Sequence, residues 1–174
     1  LLTESSWPVI HENIIDNSQE YHNIIHHLFT ALCSTQPHCK WHSVSAFGVL
    51  VPKIAQNNLE SARIIMRRFL WSLNDESGGI GWGAPEAMAE VMVHEDRLFS
   101  EYSHMLISYM REDGPESFQD GNYLELPALQ QGVLWGVGRL LHTRRKEMIK
   151  KGVEGDIVSY LGSQDLTVKG LAAW

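Results

Sequence analysis

The chain has 174 residues, 44% of them hydrophobic and 20% charged, and a formal net charge of −7. Those values fit one soluble globular domain with its own core. They count against a nucleic-acid partner held through its phosphates, which needs a basic face, and no apolar run reaches the roughly 18–20 residues that span a bilayer. Cys33 and Cys39 are too few for a disulfide framework and suit a reducing compartment, the cytoplasm. No signal peptide is visible, and because the chain opens on Leu1 rather than Met, an upstream segment stays possible.

In chain order, Ser5 or Ser6 caps a first helix with Pro8 in its opening turn, a capping element over residues 1–18. Ser18 caps the next helix, Gln19 to Cys33, whose stripe is Ile24, Ile25, Leu28, Phe29 and Leu32. Pro37 opens a helix to about Ala55, and Asn57 and Asn58 break it. Leu59 to Leu73 is helical, with Ile64, Ile65, Phe69 and Leu73 inside and Arg63, Arg67 and Arg68 outside. A glycine-rich turn, Asn74 to Ile80, delivers a short helix through Val91. Asp96 starts a helix ending near Arg111, and Gly114 to Tyr123 reads as a long polar loop. Leu126 to His142 and a basic stretch, Thr143 to Lys151, are helical. Asp156 to Gly162 is a short helix, and a last helix ends the chain. Nothing alternates with period two, so no sheet is predicted and the class is all-α.

Four of these segments are near-copies: Cys39 to Gly48, Ile80 to Ala89, Leu129 to Gly138 and Val168 to Trp174, starting about 40 to 50 residues apart. That is the period at which two-helix repeats stack into solenoids. Leu28 to Cys39 and Ile157 to Val168 also align without a gap. One domain over 1–174 follows, with repeats at about 19–56, 57–95, 96–142 and 143–174.

The SQDLTVKGLAAW stretch at the end and HSVSAFGVL in the first copy resemble the HEAT-like repeat family. The resemblance covers most of residues 19 to 174. It departs in the second copy, where Gly81 replaces a basic residue and Pro85 enters the first turn, and in the third, which carries a long insertion. GGIGWGAPEAM is similar to a stretch of bacterial HEAT-like proteins and brings no activity with it. The family implies an all-helical right-handed superhelix with a concave surface. It hosts scaffolds, carrier binders and a few enzymes, so it implies no single function.

With Cys39, Ile80, Leu129 and Val168 as position one, positions one, five, eight and nine are apolar or small and form the core face. Positions three and seven lie on another face and hold Trp41, Ser45, Trp82, Glu86, Gln131, Trp135, Gly170 and Trp174. One reading packs each tryptophan over the neighbouring repeat. The other is a tryptophan-lined groove, with His42, Glu86, Glu90, Gln131 and Arg139 as polar contacts, because tryptophan buries a large apolar area and keeps a donor. Trp41, Trp82 and Trp135 then share one surface with Glu86 between them and Gln131 close by.

Other signals are weaker. The GGIG turn lacks the lysine and hydroxyl of a phosphate loop and has Asp75 and Glu76 beside it, so it reads as structural. His22 and His26, or His38 and His42, have ligand-compatible spacing, but no second cluster completes a metal site. His11-Glu12 and His94-Glu95 are similar to the iron-binding dyads of a HEAT-like hydroxylase. They fall outside the register of those dyads, and no iron site carries over. The cationic run Arg139, Arg144, Arg145, Lys146, Lys150 and Lys151 reads as a solvated face.

The expected function is therefore a non-catalytic module binding a protein or peptide, with no cofactor, metal or catalytic residue assigned. The alternative is a small-molecule or modified-base enzyme with Glu86 as general base. The fourth copy stops at Trp174, about three residues short of the others. A solenoid end needs a cap, so we expect a truncated chain or an end covered by another molecule, such as a second copy.

Overall fold

The computed structural model describes residues 18–74, 81–112 and 121–174, with side chains from residue 23 onward. The N-terminal capping helix, His11-Glu12, the side chain of His22, the glycine-rich turn before Gly81 and most of the polar loop lie outside the described residues.

Nine α-helices and no strand occur among the described residues. They are α1 (Ser18–Leu32), α2 (Pro37–Asn57), α3 (Leu59–Leu73), α4 (Ala84–His94), α5 (Asp96–Ser108), α6 (Pro127–Thr143), α7 (Arg145–Lys150), α8 (Val153–Ser159) and α9 (Leu166–Ala173), with a 3₁₀ turn, Tyr160–Gly162, before α9. None is long and apolar enough to cross a membrane.

Helix ends follow local chemistry. Pro37 and Pro127 open α2 and α6, where a missing N–H costs nothing. Asn58 serves two helices at once. Its N–H donates to Ile54 O at 2.7 Å, closing α2, and its side chain accepts from Ser61 N at 3.2 Å, opening α3. Glu95 caps α5 through Arg97 N, and Asp165 caps α9 through Val168 N at 2.8 Å. Gly83 enters α4 with φ +77, and a Cβ there would meet Leu32 O at 3.1 Å, so both backbone and space require glycine.

The helices carrying the four copies pack in series: α2 against α4, α4 against α6 and α6 against α9. Helix α1 packs on α2, α3 on α2 and α4, and α5 on α4 and α6. Helix α4 sits in the middle of this row, with every residue from Ala84 to Ala89 buried. Behind it the rings of Phe29, Phe47 and Phe69 meet at 4.7–5.0 Å, and the Arg68 guanidinium lies 4.0 Å over Phe29.

Burial follows the copy register closely. Ser43, Ala46, Phe47, Ala84, Ala87, Met88, Leu129, Val133, Gly136, Val137 and Val168 are all buried. Cys39, in a core position of the first copy, is exposed. Ile64 is also outside, at 56% exposure, against the expected inside placement. The buried stripe of α3 is Ala62, Ile65, Met66, Phe69 and Leu73, at helical spacing, and Ile64 lies one residue, about 100°, off it. Just before α6, Leu124 is buried and its N–H donates to Tyr109 O.

Candidate functional site: the tryptophan face of the inner row

Trp41 on α2 and Trp135 on α6 come from helices that both flank α4, yet their rings meet at 4.8 Å between centroids, tilted by 55°. Trp41 stays 38% exposed and Trp135 is half-buried.

Glu86, from α4, shares position seven of the copies with Trp135 but is only 3% exposed. Its Oε1 receives the Lys40 ammonium at 2.6 Å, and the same ammonium lies 5.3 Å from the centroid of Trp41. Its Oε2 has no hydrogen-bond partner, one of two such buried side-chain atoms among the described residues, with Ser103 Oγ. Space for the carboxylate comes from Gly132: a Cβ there would sit 2.6 Å from Glu86 Oε2.

One turn further along, Arg139 of α6 donates Nε and Nη2 to the two carboxylate oxygens of Glu90 at 2.9 and 3.1 Å. His94 Nε2 lies 3.3 Å from Glu90 Oε1. Glu90 also lies against a glycine, since a Cβ on Gly48 would be 2.5 Å from its Cγ. Burial works against the Glu90 charge, but the Arg139 and His94 contacts outweigh it and leave the carboxyl below its ordinary pKa.

The remaining predicted residues are placed around this centre. Gln131 donates to Asp165 Oδ1 at 3.2 Å, tying α6 to the cap of α9. His42 is half-buried, with its ring 6.4 Å from that of His38. Trp82, 39% exposed, stands in the Gly81–Gly83 turn rather than on α4, and no ring contact among the described residues joins it to the Trp41–Trp135 pair. Trp174 packs its ring edge on Gly138, where a Cβ would be 2.8 Å away.

Lys40 and Gly132 are the residues that reading the sequence missed. The signal for Gly132 was present: position four of both the second and third copies is glycine, at Gly83 and Gly132. Lys40 had none, because only the packing shows which carboxylate it meets.

His94 and Glu95 contact Glu90 and Arg97, and among the described residues no cluster of three or more His, Cys, Asp or Glu is placed to hold a metal. A concavity of about 550 Å³, away from the tryptophan pair, opens between the end of α5, α6 and α8, lined by Arg111, Tyr123, Gln130, Asp156 and Tyr160. Three of its polar side chains bond to the chain itself: Arg111 to Asp156, Gln130 Nε2 to Leu124 O, and Tyr160 OH to Met110 O.

The chain matches no family model, and no curated protein or solved structure is significantly similar to it.

Two outcomes test this geometry. Gly132→Ala drives a methyl into Glu86 and should cost about 1–3 kcal/mol by denaturant unfolding; in a Glu86→Ser background, where the obstacle is gone, the same change should cost markedly less. Glu90 has a depressed folded pKa, so its contribution is complete above its unfolded value, near 4.3, and is lost as pH falls through the lower folded value. Arg139→Met should remove about 1–2 kcal/mol at pH 7 and flatten that acid limb, since the pair is only partly screened by solvent. An unchanged pH profile would assign the acid loss to other carboxylates.

Proposed function

We propose that this protein is a non-catalytic interaction module that binds a protein or peptide along the tryptophan face of the α2–α4–α6 row. The observation that carries the reading is the Trp41–Trp135 contact, which sets two indoles side by side, held from below by packed helices and open above. Rigid, partly exposed aromatics on regular elements are what interfaces use as anchors. The serial packing of the four copies supports reading the chain as a HEAT-like right-handed superhelix with this face on its concave side.

The alternative is a small-molecule or modified-base enzyme with Glu86 as general base. One observation favours it, the unpartnered Oε2. It requires a substrate to reach a carboxylate that is 3% exposed.

Self-association through the C-terminal repeat is the second part of the proposal. Phe29 and Leu32 of the first repeat are buried, Phe29 against Phe69 and Leu32 against the Gly83 turn of the following hairpin. Their gap-free equivalents Val158 and Leu161 are 61% and 43% exposed, and Leu166 beside them is 82% exposed. A second copy of the chain meets the same need at that face.

Trp41→Ala and Trp82→Ala should each weaken partner capture from an extract of the source organism by about tenfold or more, a loss of roughly 1.4–2 kcal/mol, while thermal melting of Trp82→Ala stays near wild type. Large melting-point losses with capture unaffected would make the indoles structural and remove the reading. Sedimentation equilibrium should find wild type associated at high concentration and Val158→Glu, Leu161→Glu monomeric; a monomeric wild type removes the self-association.

A further inference from the structure

Joined to Trp41 through the Lys40 ammonium is a carboxylate that is half used. Glu86 Oε1 holds the Lys40 ammonium, and Oε2 has no partner. A buried acceptor left without a donor is costly, so the site tolerates a deficit that ordinary core packing does not. The same ammonium stands within cation–π range of Trp41. An indole face and a buried carboxylate around one N–H-bearing cation is a recognition arrangement for an alkylammonium group. Here the chain fills it from within, with a side chain that remains 27% exposed and so keeps a way out to solvent.

We propose that this is an alkylammonium site, occupied in the free protein by Lys40, and that the partner enters it with a lysine side chain that takes Lys40's place on Glu86. The inference rests on the docking reading given above. Three observations choose lysine. The chain carries a net charge of −7, which favours a basic partner. Oε2 is buried on the Gly132 side, out of reach of a side chain arriving from solvent, so the two-oxygen grip of a guanidinium is denied. A compact ammonium needs only Oε1, where Lys40 already binds. Exchanging one ammonium for another is nearly neutral at the carboxylate. The site therefore reads the charge of the incoming side chain, while the indoles supply the apolar contact.

The test is the thermal midpoint of Lys40→Ala in n-butylammonium chloride, with sodium chloride and tetramethylammonium chloride at equal ionic strength as controls. The variant should melt below wild type in sodium chloride, gain several degrees in butylammonium and gain nothing in tetramethylammonium, which has no N–H. Lys40→Ala, Glu86→Gln should show no gain. Equal midpoints of Lys40→Ala in the three salts overturn the proposal. If Lys40→Ala does not fold in any of them, wild type decides: its tryptophan fluorescence should respond saturably to N-acetyl-lysine amide and not to N-acetyl-norleucine amide, and equal responses overturn the site. The two readings fail separately. An amine response without partner capture on the tryptophan face removes the partner's lysine and the docking reading, whereas capture without an amine response removes the alkylammonium site alone.

Discussion

The neighbours of α4 stand at distances set by residues with little or no side chain. Ala84, Ala87 and Ala89 are buried on α4 itself, and a Cβ on Gly136 of α6 would come within 3.1 Å of Pro85 O and 3.0 Å of the Ala89 Cβ. Close approach of this kind gains many weak dispersion contacts and leaves no room for error in volume. The row α2, α4, α6 depends on it, and so does the face it carries, because two side chains rooted on α2 and α6 touch only if both helices press closely on α4.

Tight packing decides what happens to polar groups in the row. Glu86 and Glu90 reach sideways from α4, one against Gly132 and the other against Gly48. Each is then met by a cation from a flanking helix, Lys40 from α2 and Arg139 from α6. A buried charge without such a partner is strongly destabilising, whereas a paired one is close to neutral for stability and fixes which neighbour stands where. The two pairs thus hold α4 in register on both sides, and they do so on regular helices, where geometry is more rigid than on loops.

Arginines secure the far ends of the same helices. Arg97 at the start of α5 donates to Ala55 O near the end of α2, at 3.1 Å. Arg144 after α6 donates to Met92 O and Val93 O near the end of α4, at 3.0 and 3.1 Å, and stacks 4.7 Å over Phe99. A guanidinium at a helix C-terminus satisfies carbonyls that have no intrahelical partner and complements the dipole there. Arg144 belongs to the cationic run that reads in sequence as a solvated face; its own contacts are to the two carbonyls, Asp96 and the Phe99 ring.

The helices were legible in the sequence because their signals are local: prolines at N1, Asn58 between two helices, and apolar spacing that needs no knowledge of neighbours. The core positions of the copies were legible for the same reason, with exposed Cys39 and half-buried Ala172 as the exceptions, and outside the copies Ile64 lies off the buried stripe of its helix. The candidate site was legible only as a set of residue types. Matching positions of a repeat predict side chains that point the same way, and Glu86 and Trp135 do share a position. Yet one is buried and the other half-exposed, because burial depends on what the flanking helices present. Gly132 makes room for the carboxylate, and Lys40 answers its charge from 46 residues away. By itself the sequence determined the helical class and most of the positions that turn inward. Only the tertiary structure decided that Trp41 meets Trp135 across an intervening helix and that Glu86 meets the ammonium lying over Trp41, since contact between distant residues is set by helix separation, and that separation is set by the small side chains between them.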